Sequence, residues 1–539
     1  MFLTALKAKL AAMVVVAGLN TDDMPGISKD MMSTLENLAA AQKAAAEDPG
    51  KGPDVNASFN EALAKVNELA QTGDKDAQYA LAHWGVLSNS NLNEVVVLYR
   101  KAAEQGQLLA KVELAQVLLQ AGQQNEASVK EAVKLIQEAE AGDNKVARRL
   151  LANLHLGGVG GVEASVEKAK ALLEKGSAAG DGEATLGLSQ LYTQGATGLP
   201  KDDKKALEML IKASDQGNPV AMSTYAARLF DGDPEGSSQL VKKDPEKAKK
   251  MFEDAAAKGF AAANRLLGAI YENGMGGTAK DLKKAVEYYT KAANGNDAQA
   301  LFRLGNYFEA GLTQGEGEKA EIVIQKNDKS ALDLYRLAAQ NGLPEAFFNV
   351  GVYYETGTVV DKDPEKAYNF FLRAANNGLA QAQFRLAGLY QNGTGVAQDV
   401  VAAKAWYQLA ADRGNVAAQI ALGQMYEAGV GGPANIEAAS QQYTNAAEAG
   451  APLAMLRLAS LAERGLNTAK NVPDKARALA WADLAVDASS NAELAVKYRD
   501  ELKKTLKTDE IAEAKKIYDT LKKSSSEAAP KGGESKSTR

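Results

Sequence analysis

An alanine followed at fixed offsets by an apolar residue, a small residue, an aromatic and a glycine recurs along most of this chain. That register constrains the fold more than any other feature. The anchors are Ala77, Ala110, Ala147, Ala184, Ala221, Ala263, Ala300, Ala346, Ala382, Ala418 and Ala454, spaced by 33, 37, 37, 37, 42, 37, 46, 36, 36 and 36 residues. A period of this length marks a stack of supersecondary units, each unable to bury its apolar side alone. The clearest copies read AANRLLGAIYENGMG from Ala262, EAFFNVGVYYETG from Glu345 and AAQIALGQMYEAG from Ala417.

Each unit reads as two helices. In the first, the anchor and the residues four and eight further on share a face, as in Ala263, Leu267 and Tyr271 or Ala418, Leu422 and Tyr426. The residue five on is small: Gly268, Gly305, Gly351, Ala387, Gly423. Glycine inside a helix costs about 1 kcal/mol relative to alanine, so its recurrence predicts that a neighbouring backbone comes close. A further glycine (Gly274, Gly311, Gly357, Gly393, Gly429) ends the helix. The second helix carries small residues on one side and a ring or leucine on the other: Ala367, Phe371, Ala374, Ala375, or Ala403, Tyr407, Ala410, Ala411. Its start is spelled out in KDPEKA at 243–248 and again at 362–367. Asp244 and Asp363 are predicted N-caps, each contributing about 1 kcal/mol. Pro245 and Pro364 take the first helical position, where a missing N–H costs nothing.

Composition agrees with many thin, closely packed helices: 46% of residues are hydrophobic but only 6% aromatic, and the excess is alanine. A net charge of -6 argues against a general nucleic-acid binder. With no cysteine, disulfides, thiolate metal sites and a cysteine nucleophile are excluded. The two histidines, His83 and His155, are too few for most histidine metal sites.

LGAIYENGMGGTAKDLKKAVEYYTKAANGN at 267–296 and LAGLYQNGTGVAQDVVAAKAWYQLAADRG at 386–414 resemble the Sel1-like repeat family, relatives of the tetratricopeptide repeat. The resemblance covers roughly 73–489. It implies an all-α, right-handed superhelical solenoid of about eleven helix-turn-helix repeats with helical caps. It also implies a scaffold or adaptor that binds a protein along the face of the first helices, concave in that superfamily. The early copies depart from the pattern, with Gly85, Leu118 and His155 where the aromatic belongs. Residues 57–72 read as an N-terminal capping half-repeat, 490–523 as a C-terminal helical cap and 524–539 as a disordered tail. Two units are long, with insertions at 231–242 and 313–327, the kind of segment that protrudes and contributes to binding.

The first seventeen residues have the layout of a secretory signal: Lys7 and Lys9, an apolar run from Leu10 to Val16, then Ala17. The other reading is an amphipathic first helix. Residues 18–56 read as a helix and a linker around DPGKGPD. The expectation is an exported, periplasmic or cell-envelope protein of a bacterium, with a cytoplasmic location as the alternative and no transmembrane segment.

Signs of chemistry are sparse. DGDPEG at 231–236 resembles a calcium loop, but Lys242 stands where a bidentate glutamate is needed. Ser165 and Lys168 match S-x-x-K, yet Ser165 precedes a second helix and reads as its cap. GGVGG at 157–161 is an inter-helix turn without the G-K-[ST] of a phosphate loop. His155 reads as a packed, hydrogen-bonded imidazole. No cofactor, metal or catalytic residue is expected, and the chain reads as a non-enzyme.

Two polar rows stand out on the first helices. Arg303, Asn349, Arg385 and Arg457 lie three residues after the anchor, and Glu272, Glu309, Glu355, Gln391, Glu427 and Glu463 lie nine after it. The +3 row, with Tyr307 and Tyr353, is the candidate partner-binding surface. Exposed tyrosines there would favour the rival function, polysaccharide or peptidoglycan binding; dominance of the charged rows would favour a peptide. Ion pairing between repeats is the alternative use of the same charges.

Overall fold

The computed structural model describes residues 64–87, 91–121, 125–233, 240–315, 320–467, 472–489 and 493–528. The expected signal segment, the following helix and linker, and the start of the 57–72 half-repeat lie outside the described residues. Among those described, helices follow one another in eleven pairs, from Lys75–Leu87 with Leu92–Glu104 to Pro452–Glu463 with Lys475–Asp487. Nearly all span 13 residues, about 20 Å each. The chain divides into two compact units, with the boundary between Ser330 and Ala331.

Every anchor alanine from Ala77 to Ala454 has no exposed surface. In the first unit the apolar face of the pair Ala261–Asn273 and Leu282–Asn294 buries Ala263, Leu267, Ala285 and Tyr289. In the second unit the pair Pro344–Thr356 and Pro364–Asn376 buries Ala346, Val350, Ala367 and Phe371. The caps form as their residues dictate. The Asp244 carboxylate accepts the Lys247 amide at 3.0 Å, and that of Asp363 accepts the Lys366 amide at 2.9 Å. Gly357 and Gly393 close their helices with φ of 79° and 69°, a left-handed turn that side chains resist.

The recurrent glycine five after the anchor has a different cause from the one expected. It admits a ring, not a backbone. A Cβ on Gly351 would lie 2.8 Å from the Phe371 ring, and one on Gly423 2.5 Å from the Tyr443 ring. Gly268 stands in the same way against Tyr289, at 2.9 Å. The glycine of the first helix and the aromatic of the second are thus one packing unit.

One element departs from the all-helical pattern. At the 313–327 insertion, Leu312–Gln314 pairs antiparallel with Glu321–Ile324. This short hairpin folds back on its own unit: the Gln314 side-chain carbonyl accepts the backbone amides of Leu282 and Lys283, at 2.8 and 3.3 Å. At the other end of the chain, Glu493–Thr505 and Thr508–Ala528 pack on Lys475–Asp487 and bury Ala495 and Leu502. The helical backbone reaches Ala528, so the boundary expected at 523/524 falls inside a helix. The tail beyond lies outside the described residues.

Candidate functional site

The polar rows of the first helices do meet, but unequally. Arg303 forms an ion pair with Glu272 of the preceding repeat, with its Nε 3.2 Å from Oε2. The Tyr289 hydroxyl donates to the same carboxylate at 2.7 Å. The guanidinium also lies over the Tyr307 ring, 5.3 Å from its centre. Burial alone would raise the Glu272 carboxyl, but the bonds from Arg303 and Tyr289 and the Arg303 charge hold it below its ordinary value. Burial and the same carboxylate push the Tyr289 hydroxyl well up. Arg303 is therefore committed to the fold.

Arg385 occupies the same place in a later copy and is held far less. Its closest acid, Glu355, is 3.8 Å away, and the arginine side chain is 50% exposed. The second-helix aromatic beside Glu355 is Phe371, which has no hydroxyl to give, and Leu389 stands where Arg303 has Tyr307. Asn349 and Arg457 are half-buried. The acid that register offers Arg457, Glu427, is instead bound by Arg464 at 2.6 Å and by the Tyr443 hydroxyl at 3.0 Å.

Tyr307 and Tyr353, placed by sequence on the candidate partner-binding surface, are not exposed. They are 7% and 4% exposed. Seven residues after the anchor is an inward position, because the first helix is sandwiched on that side. Tyr307 packs edge-on to Tyr289, and Tyr353 lies 6.2 Å from Tyr335.

A feature invisible in the register is a strip of lysines in the first unit. Lys249 and Lys284 approach the Tyr271 ring to 4.8 and 5.3 Å, and Tyr271 stacks on Tyr288, which carries Lys291 at 5.0 Å. Lys249, Lys250, Lys280 and Lys284 line a cleft of about 750 Å³ together with Glu246, Glu253 and Asp281. Asp281 is occupied as a helix cap, accepting the Lys284 amide at 3.1 Å, and its other oxygen lies 3.8 Å from the Lys284 ammonium. Among the described residues Lys249, Lys250 and Lys280 have no ion-pair partner. The strip escaped sequence reading because its lysines come from two successive repeats, those of one thirty or more residues from those of the other.

The remaining motifs settle as structure. Ser165 accepts the Lys168 amide at 3.2 Å as a cap, and His155 bonds the Glu163 carbonyl at 2.9 Å through Nδ1. Asp233 of the suggested calcium loop is bound to Arg228 at 2.6 Å and to the Val241 amide. His83 proves to have partners that spacing did not suggest: Glu113, at 3.0 Å, also accepts from Tyr79 and Tyr99. Among the described residues no group of three or more histidine or acidic side chains could hold a metal ion, and no helix is long and apolar enough to cross a membrane.

The Sel1 repeat model matches ten segments: 75–107, 146–181, 182–218, 222–260, 261–297, 298–343, 344–379, 380–415, 416–450 and 452–490. The chain belongs to the Sel1 repeat family. The helix pair Leu108–Ala121 and Glu126–Ala141 lies between the first two matches, a helix pair like the others that no match covers. Among solved structures, a protective antigen of uropathogenic Escherichia coli displaying an SLR fold is similar, at 21% identity and a TM-score of 0.54. That match covers 87% of this chain and 98% of the antigen. A Sel1 repeat protein from Oxalobacter formigenes matches at 27% identity and a TM-score of 0.42, over 61% of this chain and 90% of its own. The immunity protein Pa5087 from Pseudomonas aeruginosa matches at 22% identity and a TM-score of 0.27, over 43% of this chain and 83% of its own. A search of the curated proteins found no match. Sel1 repeats build protein-interaction scaffolds, and their solenoid is typically non-catalytic.

Proposed function

We propose that this Sel1 protein is an adaptor that binds an acidic segment of a partner protein, within a process of the bacterial cell envelope. The observation that carries the partner's chemistry is the lysine strip around Tyr271. Four lysines against three carboxylates leave this cleft at +1 in a chain of net charge -6, and three of the four ammonium groups have no ion-pair partner among the described residues, which favours an acidic polypeptide. Exposed Tyr307 and Tyr353 would have favoured the polysaccharide or peptidoglycan alternative; both are buried, which favours a polypeptide partner.

The test is crosslinking and pull-down with the full chain and a Lys249→Glu/Lys250→Glu/Lys280→Glu variant. Partners recovered at low salt should be lost with the variant and weakened by 0.5 M salt, since screening shortens the reach of surface charge. Equal recovery by both proteins would sink the acidic-partner reading. Export rests on the Lys7 to Ala17 layout. N-terminal sequencing of the mature protein should find a start near residue 18, and an intact Met1 or Phe2 start would count against it.

A further inference from the structure

In the second unit a glycine without a structural reason sits beside the loosely held Arg385. Gly388 lies inside the helix Ala380–Asn392, and a Cβ added to it would meet only the Tyr407 hydroxyl, at 3.8 Å. It relieves no crowding, and an interior glycine weakens a helix. The other late repeats carry Ala269, Asn306, Val352, Gln424 and Ser460 at this position, six after the anchor. Only in this copy is the position six after the anchor a glycine. The missing side chain opens a cavity of about 300 Å³.

The walls of that cavity are of two kinds. Phe384 and Leu389 line it together with Tyr407, whose ring is 5.6 Å from that of Phe384. The Tyr407 hydroxyl is occupied by Gln391 at 2.9 Å, leaving the ring to offer an apolar face. Two cations, Arg385 and Lys362, and one acid, Glu355, supply the charges of the lining, with Asn392 and Thr394 as its neutral polar groups. Two positive charges against one negative leave the site at +1, which one added carboxylate neutralises. Arg385 can meet a carboxylate with two parallel N–H donors, and Lys362 is exposed.

We infer that this cavity binds a peptide segment presenting an apolar side chain next to a carboxylate. The side chain enters over Gly388 onto the Phe384 and Tyr407 rings, and the carboxylate is held by Arg385 and Lys362. The volume, at the small end for ligand sites, suits one residue and its neighbour. This inference rests on the protein-scaffold reading and adds to it a second contact point with its own selectivity.

The experiment is fluorescence anisotropy with the full chain and fluorescein-labelled peptides. One probe carries an internal Phe-Asp pair and an amidated end, and a second ends in Phe with a free carboxylate. Controls replace Asp by Asn, the free end by an amide, or Phe by Ala. At least one carboxylate probe should bind, and the better of the two tells an acidic side chain from a chain terminus. Each control should weaken binding roughly tenfold or more. Gly388→Leu, which fills the cavity, and Arg385→Gln should do the same, with circular dichroism unchanged. Gly388→Ala serves as a second variant that keeps the helix and still narrows the site.

Binding of neither probe, binding indifferent to the carboxylate, or full binding by Gly388→Ala and Gly388→Leu would each overturn the inference. Partners that depend on the lysine strip and are recovered equally by Gly388→Leu would leave the scaffold reading standing.

Discussion

Arg303 and Arg385 occupy one place in two copies of the same repeat, three residues past a fully buried alanine, and meet different fates. Arg303 shares Glu272 with the Tyr289 hydroxyl and lies over Tyr307, while Arg385 stands 3.8 Å from Glu355, half exposed, above a cavity. The repeat sets where an arginine is placed; two neighbouring residues set whether it is bound into the fold. Where the first site has Tyr289 and Tyr307, the second has Phe371 and Leu389. A missing hydroxyl and a missing ring leave a cation available to something else.

The largest test of this contrast removes each arginine in turn. Arg303→Met should cost about 2 kcal/mol, because Glu272 and its tyrosine stay partly buried without a counter-charge. Arg385→Met should cost less than about 0.5 kcal/mol, as expected for a half-exposed pair. Amide hydrogen exchange read at 261–297 and at 344–379 suits a repeat protein, whose melting need not be two-state. Equal loss of protection in the two variants would erase the distinction.

The glycines give the next test. Gly423→Ala drives a methyl into the Tyr443 ring and should destabilise by about 1–3 kcal/mol. Gly388→Ala meets open space and should stabilise by about 0.5–1 kcal/mol. Thermal melts that moved the same way for both would show that the cavity closes on itself.

Acidity should test the Glu272 site. Glu272 is held below its ordinary 4.5, so the unfolded chain binds the proton more readily and stability rises with pH through that range. Its contribution is present above pH 4.5 and is lost as pH falls through the folded value. The stability difference between wild type and Glu272→Gln should therefore be steady near neutrality and shrink in acid, as read by exchange at several pH values. A difference that persisted unchanged at the lowest pH would show that the ionised carboxylate is not what stabilises this site.

The smallest expected change rebuilds the lock. Phe371→Tyr supplies the hydroxyl that Glu355 lacks and should add about 0.5–1 kcal/mol to the second site. It should also lower the affinity of the cavity for the carboxylate probes, by drawing Arg385 toward Glu355. Tighter peptide binding would contradict the competition between the two uses of Arg385.

Much of this was readable beforehand, because the repeat writes its helix signals in sequence. Asp363 and Pro364 announce a start, Ala367 and Phe371 the inward face, and Gly378 the end, all within seventeen residues. The candidate site was legible only in part. The spacing of Arg303 and Glu272 showed rows that could meet, but not that a tyrosine from the second helix would join them. Tyr307 and Tyr353 were misplaced because seven residues after the anchor lies near the border of the apolar face, and only the neighbouring helix decides which side it falls on. The lysine strip and the His83–Glu113 cluster join residues about thirty or more apart, across a repeat boundary that local periodicity does not describe.

By itself the sequence determined the family, the helix pairs and their boundaries, since these follow from short-range signals repeated at a constant period. Tertiary structure alone decided which charges are spent and which are free. That depends on what each side chain meets in the next helix: a hydroxyl or a bare ring at Glu272 and Glu355, a filled position or an opening at Gly388. Partners, burial and empty volume belong to the packing of helices against one another, and a residue's own neighbours in the chain do not set them.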